Sequence, residues 1–175
     1  MNKRLELTPR TDHEFVWIVD FPLFEHENGE WTFAHHPFTA PHADDIGALT
    51  DGEFEGVRAQ HYDLVYNGTE LGSGSIRITD AELQIKVLEL LGVSRDEAER
   101  RFGFLLAALR LGAPPHGGFA VGFDRVVMLL AGADNLRDVI AFPKTTAARA
   151  LFEDAPTEVA ASELDQLGIA MKEKS

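Results

Sequence analysis

Apolar and polar residues alternate, cluster and recur along this chain in ways that predict short strands first and helices later. Residues 15–19 (FVWIV) are β-branched and aromatic without a polar break, which predicts a strand buried on both faces. Asn28-Gly29 is a hairpin signal, with the return strand expected over residues 31–36 until Pro37 stops it. Residues 41–56 read as an acidic, glycine-containing loop. Residues 62–66 and 69–78 are strands joined by Asn67-Gly68, the strongest hairpin signal present. Two helices follow, because Thr79-Asp80-Ala81-Glu82 and Ser94-Arg95-Asp96-Glu97 each open a helically spaced apolar run with a capping-box pattern. Gly92 and Gly112 sit where helix-ending glycines belong. Leu83, Val87, Leu90, Leu91, Phe102, Leu105, Leu106 and Leu109 are the expected core of this pair. Residues 117–130 read as a short apolar strand, a glycine turn and a buried helix beginning at Asp124-Arg125. Beyond it come a turn and short strand (136–143), a helix (145–152) and a last helical turn (162–167).

Hairpins first and segregated helices afterwards imply an α+β fold with an antiparallel β-sheet flanked by helices. The expected organisation is a poorly ordered lead-in (1–14), one domain segment (15–156) and a charged tail (157–175). The 175 residues suffice to bury a core. The net charge of −13 leaves no broad basic surface to hold a phosphate backbone, which argues against a free-standing nucleic-acid binder. The absence of cysteine excludes disulfides and thiolate metal sites. No apolar run reaches membrane-spanning length and the N-terminus has no signal-type apolar region, so a cytoplasmic location with no membrane partner is expected.

Three groups of residues carry candidate chemistry. With a two-residue turn at Asn67-Gly68, Val65 opposes Glu70 and Asp63 opposes Gly72. Asp63 and Glu70 then share a face as diagonal neighbours about 7–8 Å apart at the backbone. Two carboxylates so placed repel unless a cation lies between them, and magnesium held by carboxylates plus phosphate oxygens is a common solution. Two ordinary acids on a solvated strand are the alternative. Arg77 differs from Glu70 by an odd number, so a regular strand points the two apart. They reach one site only across a β-bulge, expected within Gly72-Ser73-Gly74. His35 and His36, if on a strand, face opposite ways, one into the core and one outward.

The third group lies around residue 122. Asp124 suits the positive end of a helix dipole, whereas Arg125 in the same turn calls for an anionic or aromatic partner. Gly117, Gly118 and Gly122 keep side chains away from such a ligand. A plain strand-turn-helix corner with a surface ion pair is the alternative. No side chain has the setting of a nucleophile or general base.

GFAVGFDRVVMLLAG (residues 118–132) resembles motif 3 of class II aminoacyl-tRNA synthetases. LRDVIAFPKTTAA (136–148), DFPLFE (20–25), HHPFTAP (35–41), YDLVYNGTELGSGSIRI (62–78) and FGFLLAALRLGAPPHGG (102–118) are similar to bacterial aspartyl-tRNA synthetases in the same order. The resemblance covers almost the whole chain from Phe15 and points to the C-terminal part of the catalytic domain. It implies an aspartate–tRNA ligase segment that binds ATP, Mg2+ and L-aspartate, and serves tRNA(Asp) through a longer, homodimeric enzyme. By the same resemblance, Glu70 is a metal and ATP ligand with Asp63 as companion. Arg77 grips the aspartate side chain, and His36 and His35 close over it. Gly122, Phe123, Asp124 and Arg125 line the ATP site, with Arg125 stacking on adenine. Arg137 and Lys144 take structural roles. The family usually has three consecutive glycines where this chain has Ser73 between Gly72 and Gly74. Motifs 1 and 2 and an anticodon-binding domain are not found in the chain, so competence alone is not expected. A paralogue using aspartate and ATP for other chemistry, or a non-catalytic partner-binding remnant, are the competing expectations.

Overall fold

The structure is a computed structural model and describes residues 13–172. The expected lead-in lies outside the described residues up to position 12, as does the end of the tail. The chain divides into two compact units, Met1–Gly122 and Phe123–Ser175.

In the first unit, β1 (Phe15–Val19), β4 (His61–Tyr66), β5 (Thr69–Ile76) and β6 (Gly117–Val121) form one antiparallel sheet in the order β1-β4-β5-β6. A separate hairpin pairs β2 (Phe24–Glu27) with β3 (Glu30–Phe33). Both Asn-Gly turns are where their chemistry requires: Asn28, Gly29, Asn67 and Gly68 all have positive φ, the condition for a tight primed turn. Between the sheets, residues 41–56 hold a 3-10 turn (Ala43–Asp45) and helix α1 (Ile46–Asp51) rather than an irregular loop. Asp45 fixes this segment: its carboxylate takes both the backbone N–H of Arg58 and its guanidinium fork, at 2.9–3.0 Å. The hydrogen bonds from Arg58 hold the Asp45 carboxyl down to about 2.

Helix α2 (Ala81–Leu90) starts at Asp80, whose side chain accepts the Leu83 N–H at 2.7 Å, so Asp80 and not Thr79 is the cap. Helix α3 (Arg95–Arg110) starts at Ser94 as its pattern requires, with the Ser94 Oγ accepting from Glu97 N. Gly92 and Gly112 follow the two helices with φ of 78° and 98°. Leu83, Leu90, Leu91 and Phe102 are half-buried, and Val87, Leu106 and Leu109 are buried. One buried cluster joins Leu23, Phe24, Leu49, Val57, Ala59, Ile78 and Val87, and another joins Ile85, Leu88, Ala98 and Leu106.

The core therefore lies between the small hairpin and the helices, and β1 is not part of it. Phe15, Val16, Trp17, Ile18 and Val19 remain 43–60% exposed, contrary to the expected burial on both faces. Among the described residues β1 pairs with β4 alone, which makes it an edge strand of the sheet. Its apolar composition reflects a propensity for sheet, which does not by itself supply a covering layer.

In the second unit, α4 (Phe123–Leu130) contains no fully buried residue, so the expected buried helix is only partly covered. Leu136–Asp138 is a 3-10 turn, and no strand forms over 136–143. The helix expected at 145–152 is instead a series of turns. Thr145 Oγ1 accepts from Arg149 N, Thr145 N donates to Arg149 O, and Ala148 has φ of 57°. A threonine bonding its local backbone competes with helix in this way. Helix α5 (Ala161–Gln166) is the expected last turn. Among the described residues no helix is long and apolar enough to cross a membrane.

Glycines in the main sheet make room for an aromatic layer. A Cβ on Gly74 would lie 2.0 Å from Gly118 O and 2.6 Å from the Tyr62 ring. Trp17 packs near Tyr62 and Phe119 on that face, and Tyr62 Oη donates to Gly118 O. Gly118 itself has open space where a Cβ would go. Gly74→Ala is expected to lower the unfolding midpoint in urea by an amount equivalent to about 1–3 kcal/mol, the cost of overpacking. Gly118→Ala is expected to stay within about 0.5 kcal/mol; equal effects at both positions would contradict the β5–β6 packing.

Candidate functional site

Strand parity decides which side chains meet. From the Asn67-Gly68 turn, Tyr66 opposes Thr69 and Val65 opposes Glu70, as a two-residue hairpin dictates. The register then shifts: Leu64 opposes Gly72 and Asp63 opposes Ser73, leaving Leu71 as the extra residue. This is a β-bulge, one position before the glycines where it was expected. The pairing Asp63–Gly72 is accordingly corrected to Asp63–Ser73. Cross-strand partners share a face and a bulge advances the count by one. Glu70, Ser73 and Ser75 thus lie on the face of Asp63 and His61, and the same count carries to Arg77. The Leu71 carbonyl accepts the Gly122 N–H at 2.7 Å.

His35 and His36 do not lie on a strand. β3 ends at Phe33, and the chain bends through residues 34–38 before Thr39 bridges to Arg77. The in-and-out alternation expected of adjacent strand residues no longer applies, and both rings turn toward the same sheet face. The bend is held from behind by α2, where buried Gln84 donates to Pro37 O at 2.8 Å. His36 contacts the Arg77 guanidinium through Nε2. His36 Nδ1 accepts the Phe38 N–H at 3.2 Å. The Thr39 hydroxyl lies 3.4 Å from His36 Nδ1.

His35 stacks on His61 with ring centroids 3.6 Å apart and planes 10° from parallel. Phe21 meets both rings edge-on, at 5.2 and 4.9 Å. His61, to which no role was assigned from sequence, is buried and forms the middle of the site. Its Nε2 is 3.0 Å from Asp63 Oδ1 and 3.2 Å from Ser73 Oγ. Strand alternation alone places His61 and Asp63 on one face, and that signal was available at positions 61 and 63.

The charges divide along this face. Asp63 and Glu70 form an acidic end that, with Glu25, acts electrostatically on His35. Burial nevertheless lowers the His35 pKa, assisted by His61. Burial also lowers that of His36, followed by the positive charge of Arg77. Arg77 and His36 form the basic end.

The other candidates lie in the second unit. Phe123 is exposed, and Asp124 and Arg125 occupy the first turn of α4. Arg137 Nε donates to the backbone carbonyl of Lys144 at 3.0 Å. With Leu136, Ile140, Phe142 and Pro143 they line a cavity of about 360 Å3.

Because its folded-state pKa is lowered, His36 is expected to titrate below the ordinary 6.5 in histidine NMR spectra of the ligand-free chain. Arg77→Ala should move it upward but not to 6.5, since burial is the larger cause. The unfolded chain takes up this proton first, so the stability contributed by neutral His36 is present above 6.5 and declines as pH falls toward the folded value. A downward move in Arg77→Ala would contradict the contact.

The model of the tRNA synthetases class II (D, K and N) matches residues 2–146. An aspartate–tRNA(Asp/Asn) ligase of Acidobacterium capsulatum is 55% identical over 161 residues, covering 90% of this chain and 26% of that protein. An aspartate–tRNA ligase of Lysinibacillus sphaericus is 52% identical over 174 residues, covering 98% and 29%. The chain thus spans less than a third of the length of these curated relatives. Among solved structures, aspartyl-tRNA synthetase of Entamoeba histolytica aligns with a TM-score of 0.55 and 26% identity over 76% of this chain and 23% of that one. Asparaginyl-tRNA synthetase of Pyrococcus horikoshii aligns with a TM-score of 0.55 and 21% identity, over 76% and 27%, and shares the fold. The chain belongs to the class II tRNA synthetases of the D, K and N group.

Proposed function

We propose that this chain is the C-terminal catalytic segment of an aspartate–tRNA ligase, with residues 15–156 as the functional segment and 157–175 as a tail. The observation that carries the reading is one sheet face with an acidic end, Asp63 and Glu70, and a basic end, Arg77 and His36. Aspartate brings an anion to the basic end. Its side-chain carboxylate suits the guanidinium fork of Arg77, and a lowered His36 pKa leaves room for a gain in proton affinity when an anion arrives.

Asp63 and Glu70 are oxygen donors on one face, a set that fits a hard divalent cation shared with phosphate oxygens, and they would hold Mg2+. Such an ion, when present, offsets phosphate charge. Gly122 ends the first unit and is followed in sequence by Phe123, Asp124 and Arg125; we assign these residues to ATP, with Arg125 against the base. The α-carboxylate of aspartate attacks the α-phosphorus of ATP and pyrophosphate leaves. A tRNA ribose hydroxyl then takes the aspartyl group and AMP leaves. No side chain is required as nucleophile; the residues position charge.

The segment is not competent alone on this reading. The exposed apolar side chains of β1 suit a covering layer from the remainder of a longer, dimeric cytoplasmic enzyme, through which tRNA(Asp) is also bound. The same surface is what a non-catalytic, partner-binding remnant would present.

Aspartate-dependent ATP–pyrophosphate exchange tests the assignment, with the chain supplemented by the N-terminal portion of the Acidobacterium capsulatum relative. Exchange is expected only in the mixture. Arg77→Ala should reduce it by roughly two to three orders of magnitude, as for a lost charge-paired contact. Exchange that is absent from the mixture, or that proceeds equally with asparagine, would refute the aspartate assignment.

A further inference from the structure

We infer that His61 is a positioning residue for the carboxylate of Asp63, holding it through an N–H on Nε2 while the stacked His35 ring and Ser73 keep the imidazole in place. The inference rests on the assignment of Asp63 and Glu70 to a divalent cation.

Four observations support it. His61 is only 6% exposed, and its Nε2 is 3.0 Å from Asp63 Oδ1. An ionised carboxylate cannot donate, so the proton of this hydrogen bond is on Nε2. Ser73 Oγ lies 3.2 Å from the same nitrogen, and with that proton already on Nε2 the hydroxyl is a second acceptor of a shared N–H. Its own hydrogen is thereby left available to another acceptor. Among the described residues, His61 Nδ1 is buried without a hydrogen-bond partner, as is Oγ of Ser75 directly opposite in β5. With the proton on Nε2, a neutral ring buries no N–H at Nδ1 without an acceptor. Both ends of the ring therefore select the Nε2–H tautomer.

The ring plane is fixed as tightly as its proton. His35 covers one face at 3.6 Å, and Phe21 meets the edge. The imidazole cannot swing to release Asp63 without unstacking His35, so the bend at residues 34–38 and the acidic end of the site are mechanically joined. An outer partner that orients a ligating carboxylate is commonly worth 10–100-fold in metal affinity.

The test uses the 175-residue chain with Mn2+ in place of Mg2+, reading affinity from paramagnetic broadening of backbone resonances in β4 and β5. His61→Gln retains an N–H donor near the position of Nε2 and is expected to bind Mn2+ close to the wild-type value. His61→Phe retains the ring and the stack without the donor, and is expected to bind about tenfold more weakly or worse. Equal weakening by both variants would show that His61 acts only through packing, and would overturn the inference. Glu70→Gln and Asp63→Asn are run alongside. If neither affects Mn2+, the cation assignment fails, and the inference is judged on the ring alone. For that, two-bond proton–nitrogen spectra of the wild-type chain should show His61 as the Nε2–H tautomer, with mixed tautomers in Asp63→Asn. A wild-type ring with its proton on Nδ1 would overturn the inference whether or not metal binds.

Discussion

One extra residue in β5 decides what this protein can do with its charged side chains. Without the bulge at Leu71, Glu70 and Arg77, an odd number of positions apart, would point to opposite faces of the sheet, and the acidic and basic ends could not face one site. With it, Glu70, Ser73, Ser75 and, by the same count, Arg77 follow one another along the face that carries Asp63 and His61. A bulge leaves a backbone group without its regular ladder partner. Here the Leu71 carbonyl is taken by Gly122 N, the last residue before α4. The irregularity that aligns the acidic and basic ends is thus stabilised by the same chain segment that leads into the proposed nucleotide-binding helix.

The histidine bend depends on the sheet in a different way. It has no regular structure of its own and is ordered from three sides: Thr39 bridges Arg77, Gln84 reaches Pro37 from α2, and His35 lies flat on His61. These contacts explain why a helix with an ordinary amphipathic core face buries a glutamine. A buried amide with a backbone partner is satisfied, and removing the partner would leave it costly. Anchoring of this kind holds His36 against Arg77.

How much of this was legible in the sequence varied with how local the cause was. Both Asn-Gly hairpins, the Ser94 cap and the glycines at 92 and 112 follow from the residues themselves. The need for a bulge followed from counting between Glu70 and Arg77. Its position at Leu71 did not, because which residue is extruded depends on how β6 and the Tyr62–Phe119 layer pack, and Gly72 and Gly74 serve that layer. His35 and His36 were misread as strand residues because the strand stops at Phe33 for a tertiary reason, the anchoring of the bend by Arg77 and Gln84. The run FVWIV signals sheet propensity, and propensity cannot say whether a neighbour covers it. His61 is legible from its spacing to Asp63; its pairing with Ser73 becomes visible only once the bulge sets the register.

The register across Asp63 is the most direct test, and cross-strand proton contacts measured by NMR on the isotopically labelled chain would read it. The account predicts that Asp63 lies opposite Ser73, with Leu71 unpaired and Val65 opposite Glu70. Contacts placing Asp63 opposite Gly72 would mean a regular hairpin, with Glu70 and Arg77 on opposite faces, and would contradict the single site on which the proposed chemistry depends.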